Sequence, residues 1–280
     1  MPIDSLALLT NTASLAAQRN LMRSERVLST AMGRLSSGLR INQASDDSAG
    51  LAISEKLRAQ VRGLAQAQRN ANDGISLLQT AEAALNEVSD MLSRMRELAV
   101  QSANGTLGSR ERASVHDEFN ELRLEITRIA DATEFGGRKL LNGGMSAGIT
   151  FQVGVQNTSS DRITVSLVSA TASSIGVSAG MTLTSVAGAQ AAMGLLDTAI
   201  QNVTTRRGTI GAKQNRLYVT INNLAAMHQN LSAANSRIRD ADVAQESANL
   251  TRGQILMQAG IAVLAQANQM PALALPLLNR

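Results

Sequence analysis

Residues 51–102 read LAISEKLRAQVRGLAQAQRNANDGISLLQTAEAALNEVSDMLSRMRELAVQS, with no proline and with glycine only at Gly63 and Gly74. Apolar residues recur at Leu57, Val61, Leu64, Ala71, Ile75, Leu78, Leu85, Val88, Leu92, Met95 and Ala99. Almost all gaps are 3, 4 or 7 residues, which draws one narrow stripe along a helix. At about 1.5 Å rise per residue, that helix is roughly 75–80 Å long. No compact domain of this size has a core that long, so other long helices must cover the stripe. The reading is mainly α: an elongated antiparallel helical bundle or coiled-coil rod, with a small β-hairpin near the middle of the chain.

Toward the N-terminus, Leu21, Leu28 and Leu35 are spaced by 7, with Met32 and Leu39 interleaved. Pro2 suits a helix start. Ser36, Ser37 and Gly38 interrupt the seam, and Arg40 to Ser48 reads as a linker. Ser45, Asp46 and Asp47 then offer caps and negative charge for the positive end of the long helix. That helix ends near Asn104-Gly105. Ser109 is the expected N-cap of a second helix, striped by Val115, Phe119, Leu122, Ile126 and Ile129. The short loop makes the two antiparallel neighbours, and Phe135-Gly136-Gly137 closes the pair.

The period then changes. Ile149, Phe151, Val153 and Val155 alternate with Thr150, Gln152 and Gly154, and Ile163, Val165 and Leu167 alternate again after residues 157–161. This predicts a hairpin with a five-residue loop. Residues 169–187 are Ser, Ala, Thr and Gly with scattered Val and Leu, and are expected to form a weakly structured surface segment that buries little. The helical period returns with Leu196, Ile200, Val203, Ile210, Leu217, Ile221, Leu224 and Leu231. Arg237 to Asp242 is a charged joint before a last helix, which Pro271 is expected to stop, leaving an apolar tail from Leu273 to Leu278.

Charge narrows the partners. The chain has 26 Lys and Arg against 22 Asp and Glu, a net +4. The sequence pI is 10.3, yet Arg alternates with acids and Ser along the helices, without a basic run or interleaved aromatics, which argues against nucleic acid. Aromatics number four: Phe119, Phe135, Phe151 and Tyr218. Cysteine is absent, which excludes disulfides and thiolate metal sites. The first 18 residues lack the basic and apolar blocks of a Sec signal. No apolar run approaches the ~18 residues of a membrane span, so no membrane insertion is expected. His116 and His228 lie on different helices, and no acid, base and nucleophile converge. No enzyme, metal or cofactor is expected.

The ends carry a different message. A two-helix pair leaves half of each helix exposed, and the seam residues are an apolar liability in a monomer. They are Leu21, Leu28, Met32, Leu35 and Leu39 at one end, and Leu250, Ile255, Leu256, Ile261 and Leu264 at the other. Repeated heterologous contact between identical subunits gives open filaments, so self-assembly is expected.

Six stretches resemble bacterial flagellins: LSSGLRINQASDDSAGLAI at 35–53, NANDGISLLQTAE at 70–82, MRELAVQSANGT at 95–106, FGGRKLLNG at 135–143, NLSAANSRIRDADVAQE at 230–246 and QAGIAVLAQANQ at 258–269. The likeness covers about 1–143 and 188–280. It implies a secreted, extracellular subunit of the flagellar filament that polymerises with itself for motility, in a short form with almost no central insertion. The implied domains are 1–40 as an inner-tube helix, 41–143 as two rod helices and a turn, 144–187 as the hairpin and a short variable segment, 188–238 as a third rod helix, and 239–280 as a second inner-tube helix. It also implies an export chaperone, a filament cap and a host Toll-like receptor as partners. The residues matching the receptor surface are Arg94, Glu97, Leu98, Gln101 and Glu118. Their simpler reading is packing and ion pairing along the helix, with Asp90 and Arg94 as an i,i+4 pair. A hook–filament junction protein and a flagellin-like cell-surface binding protein are the alternatives.

Overall fold

The computed structural model of the protein describes residues 10–278, with side chains described as far as Met270. The elements in order are α1 (Thr12–Ser37), α2 (Ser48–Ala103), α3 (Ser109–Ala132), β1 (Glu134–Phe135), β2 (Arg138–Lys139), β3 (Ile149–Gln152), β4 (Arg162–Val165), α4 (Ala172–Ile175), α5 (Val186–Arg239) and α6 (Val243–Leu278). They divide into two compact units, one of residues 60–230 and one of the segments on either side of it. Helices α2 and α5 contribute to both.

In the 60–230 unit the α2 stripe is the core. Leu64, Ala71, Leu78, Leu85, Val88, Leu92, Met95 and Ala99 are all buried. Helix α3 runs antiparallel to it and buries Val115, Phe119 and Ile126. Helix α5 covers the remaining side with Leu196, Val203, Ile210 and Leu217. Its direction is antiparallel to α2: Gln214 Nε2 donates to Glu82 at 2.8 Å and Arg96 pairs with Asp197 at 2.5 Å. The helical reading of these segments holds. One detail differs: Gly108 stands at the α3 N-cap, without a side-chain bond, and Ser109 is the first helical residue.

The expected hairpin is β3–β4, paired antiparallel from Ile149–Val165 to Gln152–Arg162. Its connection is longer than five residues, because Val153 and Val155 lie outside the ladder. Asp161 reorganises this loop by accepting from the Gln156 N–H at 3.1 Å and the Thr158 hydroxyl at 2.9 Å. Helix α2 has Gly63 and Gly74 where the hairpin and its connection lie against it. A Cβ at Gly63 would collide with Val155 Cγ1, and one at Gly74 would meet Phe151 at 3.4 Å. A second hairpin, β1–β2, turns through Gly136 and Gly137 at φ 58° and 77°. Two successive positive φ angles make the tight turn that joins strands with native twist.

The expectation for residues 169–187 is overturned. Ala170, Ala172, Ile175, Val177, Met181 and Leu183 are buried in the same core as the α2 stripe. The segment is fastened by side chains distant in sequence. Arg206 donates to the carbonyls of Ser169 and Ser174, Asn202 donates to that of Ile175 at 3.1 Å, and Ser102 donates to that of Leu183. Burial holds the Arg206 guanidinium below its ordinary value.

In the other unit, Gly38 ends α1 at φ 70°. The linker and the charged joint then meet. The Arg40 N–H donates to the Arg239 carbonyl at 2.7 Å, and the Ala241 N–H to the Gly38 carbonyl at 3.0 Å. Asp47, rather than Ser45, caps α2 by accepting from the Gly50 N–H at 2.8 Å. Asp46 holds the linker, accepting from the Asn42 and Gln43 N–H groups, and these bonds keep its carboxyl below the usual 3.8. Asp242 caps α6 through the Ala244 N–H at 2.9 Å.

Pro271 does not stop α6, which continues to Leu278. A proline has no N–H for the carbonyl four residues earlier, so Ala267 loses its helical donor. Asn11 Nδ2 donates to that carbonyl at 2.8 Å, while Asn11 Oδ1 caps α1 by accepting from the Ser14 N–H at 2.9 Å. One side chain thus caps one helix and mends the other. The expectations for Pro2 and for the tail Leu273–Leu278 fall outside the described residues and side chains.

Candidate assembly surfaces

Helices α1 and α6 pack antiparallel, from Asn11 beside Ala267 to Arg34 beside Glu246. Their covered seam is a strict alternation of 3 and 4 residues. On α1 it runs through Ser14, Ala17, Leu21, Ser24, Leu28, Ala31 and Leu35, and on α6 through Glu246, Leu250, Gly253, Met257, Gly260, Leu264 and Ala267, all buried or half-buried, with Ala16, Arg34 and Asn249 half-buried beside it. Large residues on one helix meet small ones on the other. A Cβ at Gly253 would lie 3.4 Å from Leu28 Cβ, and one at Gly260 would lie 3.2 Å from Leu21 Cδ1. The glycines set the close approach.

Two polar pairs close the ends of the seam. The Ser14 hydroxyl donates to Asn268 at 2.7 Å. Glu246, itself buried, accepts from Arg34 at 3.0 Å and from Asn249 at 3.3 Å.

The ten seam residues named from the sequence therefore split into two sets. Leu21, Leu28, Leu35, Leu39, Leu250 and Leu264 are half-buried in the single chain. Met32, Ile255, Leu256 and Ile261 are exposed, together with Leu15, Met22, Val27, Val263 and Met270. Leu256, Val263 and Met270 repeat at seven residues and flank the seam as a second stripe. The large-residue heptad in the sequence mixed these two faces, and the Gly and Ala seam was missed. Its signal was present as the 7-residue repeat of Gly253, Gly260 and Ala267.

A second cluster lies on α2 and α3. Arg94 donates to Glu118 from Nε at 3.0 Å and from Nη2 at 2.9 Å, and to Glu97 from Nη1 at 3.1 Å. The Glu118 bonds, followed by Glu97, hold the guanidinium above its ordinary value. Arg94 thus bridges two helices, and the expected Asp90 pairing is replaced by one to Glu118. Gln101 is exposed beside this group. Leu98 is not: it is 1% exposed in the core, so its part in any receptor surface is to pack beneath it. Four of the five residues matched to that surface are therefore on one exposed patch.

The turn below this patch is held by Arg112, which is buried without a carboxylate partner. Its guanidinium donates to the carbonyls of Ser102, Asn104 and Leu107. These lie at the C-terminal end of α2, where helix carbonyls are free and the dipole favours a cation. Replacing Arg112 by Ala is expected to lower stability by about 3 kcal/mol, since several carbonyls lose a charged donor at once. Urea denaturation reads this directly. An unchanged midpoint would mean that water replaces the fork.

Among the described residues, no group of three or more His, Cys, Asp or Glu side chains could hold a metal ion. Among the described residues, no helix is long and apolar enough to cross a membrane.

The model for the bacterial flagellin N-terminal helical region matches residues 8–146, and that for the bacterial flagellin C-terminal helical region matches residues 193–278. This chain belongs to the bacterial flagellin family. A flagellin of Halalkalibacterium halodurans is 48% identical over 270 residues, covering 96% of this chain and 98% of the relative. The flagellar filament 33 kDa core protein of Treponema phagedenis is 40% identical over 281 residues, with the same coverage of 96% and 98%. The crystal structure of Bacillus cereus flagellin aligns at a TM-score of 0.50 and 35% identity, over 60% of this flagellin and 94% of that chain. A putative flagellar hook-associated protein of Vibrio parahaemolyticus shares the fold at a TM-score of 0.59 and 19% identity. The flagellin resemblance read from the sequence therefore holds, as does the mainly helical fold class.

Proposed function

We propose that this flagellin, a structural subunit of the flagellar filament, assembles with copies of itself through the outward faces of α1 and α6. One observation carries the reading: a two-helix pair leaves Leu15, Met22, Val27, Met32, Ile255, Leu256, Ile261, Val263 and Met270 exposed. Scattered apolar residues are normal on a surface, but nine large ones on the two helices of one pair, with Leu256, Val263 and Met270 as a heptad stripe, mark an interaction face. Burial stabilises assembly by about 25 cal/mol per Å² of apolar surface. The domains proposed with it are 1–40 and 239–280 as the inner-tube helices, 41–143 and 188–238 as rod helices, and 144–187 as the hairpin and a short variable segment. An export chaperone and a filament cap are the further partners, and the site of action is extracellular. Membership of the flagellin family, whose relatives are named as flagellins and a filament core protein, supports a structural role.

The test is polymerisation. Purified full-length protein should form filaments visible by electron microscopy. Protein lacking residues 1–40 and 240–280 should sediment as a soluble helical monomer and form none. Filaments from the truncated protein would overturn the inner-tube assignment.

The exposed patch of Arg94, Glu97, Gln101 and Glu118 supports a second contact, with a host Toll-like receptor. Monomer should activate cells bearing that receptor, and Arg94→Ala with Glu118→Ala should weaken activation at least about tenfold, as for a desolvated charged hot spot. Silence of the wild-type monomer at saturating dose would remove this partner.

A further inference from the structure

The chain has no cysteine and 11 methionines, so thioethers are its only sulfur. Met91, Met193 and Met257 are half-buried, and two further groups stand apart. Met95 is fully buried, and Met145 and Met181 are buried in the same core. Met22, Met32 and Met270 are 51%, 56% and 55% exposed, and all three stand on the outward faces of α1 and α6. The same two helices also expose the aliphatic residues Leu15, Val27, Leu256 and Val263. The unbranched thioether suits a face that must fit an irregular neighbour. It also brings a chemical sensitivity that Leu would not.

We propose that Met22, Met32 and Met270 form an oxidation site, at which peroxide converts the unassembled subunit into a form that cannot polymerise. The inference rests on the assembly reading above. The sulfur lone pair attacks one peroxide oxygen; the S–O bond forms, the O–O bond breaks, and hydrogen peroxide leaves as water. Sulfur is oxidised by two electrons and peroxide is reduced by two. The product sulfoxide is polar and chiral. Assembly would bury its oxygen against apolar neighbours with no donor prepared for it, and an unpaired buried polar group opposes burial. Once the subunit is in a filament the same thioethers are covered, so the sensitivity belongs to the subunit before assembly. Reduction of the sulfoxide by a methionine sulfoxide reductase restores the thioether, which makes the block reversible.

The experiment treats full-length monomer with dilute hydrogen peroxide, maps the products by peptide mass spectrometry, and then measures the critical concentration for polymerisation. Met22, Met32 and Met270 should be modified while Met95, Met145 and Met181 are spared. The critical concentration should rise at least about tenfold and return after reductase treatment. The triple variant Met22→Leu, Met32→Leu, Met270→Leu should polymerise equally well with and without peroxide. Met22→Gln, Met32→Gln, Met270→Gln should mimic the block without any oxidant. Met227 supplies the control: it is also exposed, but it lies on α5, so Met227→Leu should give no protection. Untreated protein that fails to polymerise would count against the assembly reading, while the modification map would still be read. Treated protein that polymerises normally with all three residues oxidised would overturn the oxidation site alone. So would a block that persists in the triple Leu variant.

Discussion

Deletion of residues 170–183 is expected to unfold the 60–230 unit. The segment has the composition of a dispensable surface loop, and the deletion looks harmless on paper. Yet it carries Ala170, Ala172, Ile175, Val177, Met181 and Leu183, all buried against the long-helix core. Truncating one such Ile, Leu or Met to Ala costs about 2–5 kcal/mol. Losing Ile175, Met181 and Leu183 together reaches or exceeds the roughly 5–15 kcal/mol by which a domain is stable. Deletion also strands Asn202 and Ser102 without the carbonyls they bond, and takes from Arg206 the Ser174 carbonyl. Circular dichroism during heating should show no cooperative transition for the deletion, and Ile175→Ala alone should lower stability by about 3 kcal/mol. A deletion variant that melts at the wild-type temperature would show that this burial contributes nothing.

That segment marks where the sequence stops being legible. The α2 stripe from Leu64 to Ala99 and the α5 stripe from Leu196 to Leu224 were readable because large apolar side chains repeat with the helix, and each stripe is buried as its period predicts. Residues 170–183 have no single period. Their burial depends on donors from α2 and α5 that are remote in sequence, and no local pattern reports such contacts. Pro271 is similar. Its local meaning is a stop, but Asn11, more than 250 residues earlier, takes the carbonyl that the proline orphans. On the terminal pair the periodicity was visible, but hydrophobic size pointed to the wrong members. Ile255, Leu256 and Ile261 face outward, whereas Gly253 and Gly260 face the partner helix. Size measures what burial would gain. Which face is covered within the chain depends on how closely the two backbones approach, and small residues decide that.

This division of faces gives two variants that should fail to polymerise for different reasons. In the first, Gly260→Leu, the new Cβ would begin 3.2 Å from Leu21 Cδ1, so Leu21 must give way and the rest of the side chain presses α1 away from α6. Overpacking of this kind costs about 1–3 kcal/mol, occasionally more. A two-helix pair has few other contacts to absorb it. The pair should open, with loss of helical signal and rapid proteolysis of α1, and filaments should be absent. In the second, Leu256→Glu with Val263→Glu, both positions are more than half exposed, so the subunit should keep wild-type helicity and protease resistance. Filaments should still be absent, because each assembled interface would bury carboxylates against apolar neighbours, at a cost of several kcal/mol per charge. Helical loss in the Glu variant would mean that the stripe is needed within the subunit. Normal filaments from it would mean that the stripe faces solvent in the assembly, and the outward face of α6 would then have to be given up as a contact.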